Sequence, residues 1–280
     1  MATPIGNLAD VTLRAVHVLS LVDVVACEDS RVTGALLHHL GLHKPLIALH
    51  QHNERAGAAT VLQRLRAGQR VAYASDAGTP AVSDPGAALV QAVTAEGMRV
   101  VPIPGASSVV AALSVAGDTA QGFRFCGFAP HKGHERQRAL DAACDDATTQ
   151  VWLESPHRIA SLAAAWAARA TARRVTVCRE LTKQFETVVT LLANEFPAWL
   201  AADAQRTRGE FVLVLHAGGD TTGDAAGIDV AGQRALDVLL AELPLKQAVS
   251  LAARISGAPR NALYEQALQR RGADGTVRRP

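Results

Sequence analysis

The chain has 280 residues, 49% of them apolar, which is enough to build ordinary hydrophobic cores without disulfide or metal staples. A formal net charge of +2 excludes a polyelectrolyte, and four scattered cysteines with no Cys-x-x-Cys pair exclude a disulfide framework and fit a reducing cytosol. No apolar stretch approaches the roughly 20 residues needed to span a bilayer, and the N-terminus lacks a basic-then-apolar signal plan, so a soluble cytoplasmic protein with no membrane partner is expected.

In chain order, the first cluster that bears on function is Thr3-Pro-Ile-Gly-Asn7. From Val11 to Gly117, β-rich runs then alternate with helical patterns: Val22–Cys27, Leu46–Leu49, Arg70–Ser75 and Arg99–Ile103 read as strands of a mostly parallel sheet. The intervening helices have readable ends, with Asn53 before Glu54, Gly68 after the helix that follows, and Asp84 ahead of Pro85. Cys27-Glu-Asp-Ser-Arg31 follows the first strand, where Glu28 and Asp29 either cap the next helix or face a ligand. The richest segment is Val71 to Gly86, an apolar run that breaks into small residues, two carboxylates, two glycines and two prolines. An isolated Gly-Thr-Pro is well explained as a tight connection. This loop is too long and polar for that alone, and the carboxyl end of a strand is where α/β sheets hold ligands. Pro102-Ile-Pro-Gly-Ala-Ser-Ser108 overlaps and follows the fourth run, with Ser107 placed to cap a helix whose free N–H groups can donate to a carboxylate or ring nitrogen.

Asp118–Gly122 reads as a linker, after which Phe123–Phe128, Gln150–Glu154, Arg174–Glu180, Glu186–Leu191 and Glu210–His216 form a second alternation, mixed in strand direction because some connections are hairpin-short. Its strand ends carry Glu154-Ser-Pro-His-Arg158, Arg179-Glu-Leu-Thr-Lys183 and Arg208-Gly-Glu210, for which structural ion pairs are the plain alternative to a site. Residues 219–228 read as a flexible linker. Beyond it, Val230–Leu243, Lys246–Ser256 and Pro259–Arg271 fit three short helices, the last two a helix-turn-helix across Gly257-Ala-Pro259. From Pro244 onward seven basic residues face two acidic ones, a hint of a phosphate-backbone partner that a solvated helix face would explain as well. The expected organisation is an α/β domain over 1–117, a second over 118–218, and a helical segment over 229–280.

Several chemistries are absent. No Gly-x-Gly-x-x-Gly follows a strand, no Walker motif or Gly-x-Ser-x-Gly elbow occurs, and the histidines between His38 and His52 lack His-Glu-x-x-His spacing. They read as loop histidines, with His52-Asn53-Glu54 the one group near a cleft, and no metal site is expected.

With these motifs in order, Thr3–Asp10, Glu28–Arg31, Ser75–Pro80, Ser83–Gly86, Pro104-Gly105, Ser155–Arg158 and Arg179–Lys183 resemble the tetrapyrrole methylase superfamily of S-adenosylmethionine-dependent methyltransferases, and within it the enzymes that methylate small-subunit ribosomal RNA. The resemblance runs from Thr3 to about Arg271. It implies two tandem α/β domains of the class III methyltransferase type with a cofactor cleft between them, a helix-turn-helix-like C-terminal segment, and a homodimer. It implies S-adenosyl-L-methionine as cofactor, small-subunit ribosomal RNA or the small ribosomal subunit as partner, and 2′-O-methylation of a cytidine in the decoding region. Methylation of a tetrapyrrole or a diphthine precursor on the same fold, and a non-catalytic RNA-binding assembly factor, remain alternatives.

The resemblance places the methionine part of the cofactor at Gly78, Thr79, Pro80, Ala81 and Val82 and the adenosine part at Ser107, Ser108 and the strand ends near Leu153 and Glu180, with Asp76 and Gly105 also cofactor-binding and Ile5 lining the same cleft. Glu28 and Asp29 are the candidate proton acceptors, and Arg31, Arg158, Arg179 and Lys183 the candidate phosphate contacts. The family normally carries a full strand ahead of the Thr-Pro-Ile-Gly-Asn motif. Here only Met1 and Ala2 precede it, so either the start is misassigned or the first sheet lacks most of an element and binds the cofactor less well.

Overall fold

A computed structural model describes residues 1–50, 53–81, 86–120, 122–131, 133–218 and 230–274. They divide into a compact unit over 1–218 and a second beginning at 219.

The first unit opens with α1 (Leu13–Leu21), capped by the Thr12 hydroxyl, then β1 (Val24–Cys27), α2 (Ser30–His39), β2 (Leu46–Ala48), α3 (Glu54–Arg66), β3 (Val71–Ala74) and α4 (Gly86–Ala95). The strands form a three-stranded parallel sheet in the order β2-β1-β3. β1 is buried on both faces, as a central parallel strand must be. Val25 joins Leu19 of α1 and Leu37 of α2 on one side, and Ala26 joins Val61 of α3 and Leu89 and Val93 of α4 on the other. Gly68 does close α3, at φ +79°.

Arg99–Ile103 departs from expectation, because it forms no strand. The segment beside it, Ala2–Thr3, gives it one backbone hydrogen bond, Ala2 N–H to the Ile103 carbonyl at 3.1 Å, too few for a ladder. The N-terminal residues are nonetheless tied in. The Met1 ammonium donates to the Tyr73 carbonyl, Thr3 and Gly78 exchange two backbone bonds of 3.0 Å, and the Thr3 hydroxyl donates to the Ser75 carbonyl.

The helix α5 (Ser108–Ala116) ends at Gly117 in the left-handed region. The chain continues through β4 (Arg124–Phe128), α6 (Gly133–Asp145), β5 (Gln150–Glu154), α7 (Ile159–Arg169), β6 (Arg174–Arg179), β7 (Thr187–Leu192), α8 (Phe196–Ala201) and β8 (Phe211–Leu215). The five strands run β4-β5-β8-β6-β7, with β4 and β5 parallel and the other pairs antiparallel, the mixed sheet read from the short connections. One face packs Trp152, Val177, Leu213 and Leu215 against α6, α7 and α8 around Trp166 and Phe196. The other packs Val151, Cys178, Val212 and Val214 against Val109, Ala112 and Ala116 of α5. A helix that sequence order groups with the first sheet therefore covers the second, which is why residues 1–218 cohere as one unit.

The second unit contains α9 (Val230–Glu242), α10 (Leu245–Ser256) and α11 (Arg260–Asp274) around Leu236, Val249, Ala252, Leu263 and Ala267. Gly257, at φ +72°, ends α10 and makes the turn of the expected helix-turn-helix. The expected linker over 219–228 lies outside the described residues.

Candidate active site

Two cavities lie against the strand ends of the first unit, and both are lined by Ile5, Ala77 and Glu210. The smaller, about 370 Å³, is walled by Ser108, Phe128, Leu153, Leu181, Phe211 and Val212, with Glu154, Ser155 and Pro156 at the end of β5. Its apolar walls suit a flat ring and an aliphatic chain, and Ser108 opens α5, where backbone N–H groups have no helical partner.

Gly78 shapes the junction. At φ +79° a side chain is strained, and a Cβ there lies 3.1 Å from Ile5 Cγ2, so glycine keeps the space between loop and wall open. The loop is pinned from three sides: Thr3 bonds Gly78, the Ser75 hydroxyl donates to the Gly78 carbonyl at 2.5 Å, and the Thr79 hydroxyl donates to the Ala106 carbonyl at 3.0 Å. Gly105 is required by crowding, since a Cβ would sit 2.9 Å from Ala2 Cβ. Pro80 is half-buried beside Ala81, which holds φ +65°. Ser107 occupies the N-cap position of α5, but its side chain makes no capping bond. Val82, Asp84 and His52 lie outside the described residues.

The larger cavity, about 730 Å³, is bounded by Thr3–Gly6 and Leu8, by Val32, Thr33, Ala35 and Leu36 of α2, and by Asp29, Arg31, Asp76, Lys183 and Glu210. Asp29 caps α2, its Oδ1 accepting the Arg31 N–H, while its own N–H donates to Asp76 Oδ1 at 2.9 Å. The Arg31 guanidinium beside it, with the backbone N–H of the same residue, lowers the Asp29 carboxyl to a pKa of about 2. Lys183 bridges Glu180 at 3.0 Å and Glu210 at 2.9 Å. Burial opposes the charge on both Glu180 and Lys183, yet the Glu210 N–H and the ammonium hold the Glu180 carboxyl low, and the two carboxylates hold the Lys183 ammonium high. Close approach makes this possible: a Cβ on Gly6 would strike Lys183 Cγ at 2.6 Å, and one on Gly209 would strike Glu180 Cγ at 2.5 Å.

The remaining expected residues are placed differently. Glu28 is half-buried past β1 and lines neither cavity. Arg179 is 8% exposed and donates to the carbonyls of Arg208 and Phe185. Arg158 donates to Glu154, Ser155 and the Ala129 carbonyl and lies over the Phe128 ring. Both guanidiniums brace strand ends, because buried carbonyls and the fully buried Glu154 carboxylate must be satisfied, and neither is turned out toward a phosphate as the sequence reading expected. Arg31 and Lys183 do line the larger cavity. Phe128, Leu181, Phe211 and Val212 escaped the sequence reading, and the only signal for them was their position at strand ends. Among the described residues no group of three or more His, Cys, Asp or Glu side chains could hold a metal ion.

The comparisons agree with this architecture. A family model described as Tetrapyrrole (Corrin/Porphyrin) Methylases matches residues 2–197, and one described as the RsmI C-terminal HTH domain matches 226–271. The chain is similar to the ribosomal RNA small subunit methyltransferase I of Pseudomonas aeruginosa, 46% identical across 97% of this chain and 96% of that protein. The chain belongs to the tetrapyrrole methylase family, in its ribosomal RNA small subunit methyltransferase I branch. Solved structures of this methylase fold include uroporphyrin-III-C-methyltransferase from Thermus thermophilus, with TM-score 0.56, 21% identity, and coverage of 77% of this chain and 91% of that one. A structure of the Thermus enzyme complexed with S-adenosylhomocysteine aligns at TM-score 0.51 and 18% identity, over 75% of this methylase and 92% of that chain.

Proposed function

We propose that this protein transfers a methyl group from S-adenosyl-L-methionine to small-subunit ribosomal RNA, at the ribose 2′-oxygen of a cytidine in the decoding region. The observation that carries the reading is the pair of cavities sharing Ile5, Ala77 and Glu210, one sized for a nucleoside-bearing cofactor, the other larger and bearing Asp29, Arg31, Asp76 and Lys183. The bound cofactor supplies an electrophilic methyl on a sulfonium, and in-line displacement draws most of its acceleration from alignment. The chain's contribution is to hold both partners: the Gly78 loop and Leu153, Leu181 and Val212 seat the cofactor, while Arg31 and Lys183 meet phosphate at the mouth of the larger cavity. Exposed Lys246, Arg254 and Arg260 on the C-terminal helices add a separate basic surface for RNA.

Incubation with labelled cofactor and small ribosomal subunits, free ribosomal RNA or a tetrapyrrole mixture tests the assignment. Label in ribosomal RNA supports it, and label in a tetrapyrrole alone overturns it. The active form is a homodimer. Supporting that, Val110 and Val115 of α5 and Val188 and Leu192 of β7 are exposed on one side of the second sheet, an apolar surface of the kind that an oligomer covers. Val110→Asp with Val188→Lys should convert the protein to a monomer in sedimentation, and an unchanged mass would refute this face.

A further inference from the structure

Asp29 and Arg31 line the larger cavity and occupy each other. Asp29 Oδ1 accepts the Arg31 backbone N–H at 2.8 Å and the guanidinium Nε at 3.0 Å. Oδ2 accepts from the guanidinium, with Nη2 at 2.5 Å and Nε at 3.1 Å. The Arg31 side chain is 89% exposed, and among the described residues its guanidinium has no hydrogen-bond partner but Asp29. A guanidinium this exposed is weakly held by its half-buried partner, and a phosphate offers the same planar fork a bidentate partner. Two roles thus collide at one contact: a phosphate that takes Arg31 must pull it from Asp29, and while Arg31 stays it stabilises the carboxylate anion and makes it a poor proton acceptor.

We propose that Arg31 is a substrate-operated cover on Asp29: a phosphate of the bound RNA draws the guanidinium off Oδ2, and the uncovered oxygen accepts the hydroxyl proton during methyl transfer. This rests on the RNA-methylating reading above. The ribose oxygen gains a bond to the methyl carbon as that carbon parts from sulfur, which keeps the electron pair. The hydroxyl proton passes to Oδ2, so sulfonium and carboxylate become neutral thioether and carboxylic acid. The groups facing Asp29 fit the exchange. Asp76 beyond β3 accepts its N–H, Cys27 ends β1, and Lys183 and Glu210 stand on the far side of the same cavity. With Arg31 gone, the neighbouring Asp76 carboxylate favours protonation of Asp29, while Glu210 stays paired with Lys183 and the helix N-terminus keeps Oδ1 in place. The carboxyl held near 2 in the free protein then becomes a competent acceptor only with RNA seated.

The test uses the full chain with cofactor and small ribosomal subunits, comparing wild type, Asp29→Asn and Arg31→Gln. Asn keeps the cap, so both variants should retain the melting temperature and cofactor affinity of the wild type. Asp29→Asn should lower kcat about 100-fold and, because it releases Arg31 from its carboxylate partner, lower rather than raise the KM for subunits. Arg31→Gln should raise KM for subunits roughly tenfold and lessen its salt dependence, with kcat at saturation within about twofold of wild type. In the wild type the acid limb of kcat, which reports the RNA-bound enzyme, should lie at higher pH than that of kcat/KM, which reports the free enzyme, and in Arg31→Gln the two should draw together. An unchanged kcat in Asp29→Asn, a kcat in Arg31→Gln that falls as far as in Asp29→Asn, or coincident limbs in the wild type would overturn the proposal. A wild type that labels no ribosomal RNA overturns the underlying reading as well.

Discussion

Gly78→Ala separates what the loop does for the fold from what it does for the ligand. Gly78 and Gly68 both hold φ +79°, but a Cβ on Gly68 meets nothing within 4 Å, whereas one on Gly78 meets Ile5 Cγ2 at 3.1 Å. Left-handed backbone costs alanine about 1–2 kcal/mol, and the stiffer unfolded chain returns about 0.4–1 kcal/mol of it. From the backbone alone both variants should therefore lose about 1 kcal/mol, a fall in Tm of roughly 2–4 °C for a domain of this size, with any excess in Gly78→Ala due to the contacts described next. Only Gly78→Ala also pushes on Ile5, the wall common to both cavities, and strains the paired bonds to Thr3. Calorimetry with S-adenosylmethionine should show roughly tenfold weaker binding, about 1.4 kcal/mol, for Gly78→Ala and none for Gly68→Ala. Equal affinity in the two variants, with matching melting temperatures, would refute the loop as part of the cofactor seat.

Cofactor at about 100 times its Kd should stabilise the protein by about 2.7 kcal/mol, a rise in Tm of roughly 5–10 °C, and a flat thermal scan would contradict the assigned cavity. Arg136→Met should cost about 3–5 kcal/mol in urea unfolding, because Arg136 and Arg158 together neutralise the fully buried Glu154; adding Glu154→Gln should recover part of that loss, and strict additivity would count against the triad. His216 is buried beside Thr176 and Asp118 just past the end of the central strand β8. Burial lowers its pKa, Asp118 opposing and Arg174 and Arg173 adding to the shift. The folded protein thus binds the proton less readily than the unfolded chain, so this contribution is complete above the ordinary value of 6.5 and is lost as pH falls below it. Melting temperature should drop between pH 7.5 and 5.5, and His216→Gln should shrink the drop; an identical pH slope in the variant would refute the assignment.

Local pattern determined most elements of this protein. Seven of the β-rich runs and the Gln150–Glu154 run became strands to within a residue or two, and Gly68, Asp29 and Gly257 end or cap helices as their chemistry dictates, because periodicity and terminal hydrogen bonding act over a few residues. The motifs likewise located the Gly78 loop and the family. Tertiary structure decided what depends on contacts between distant residues. Arg99–Ile103 has a strand's composition, yet it pairs with nothing that can sustain a ladder. The helix α5 covers the sheet that follows it, carrying Ser108 to the cavity wall. Four cationic side chains looked alike in sequence, but Arg158 and Arg179 were turned inward by Glu154 and by backbone carbonyls, and Arg31 and Lys183 stayed at the cavity. A charge goes to whichever buried acceptor the fold brings beside it, and that depends on strand ends far apart in sequence, as where Gly6 meets Lys183.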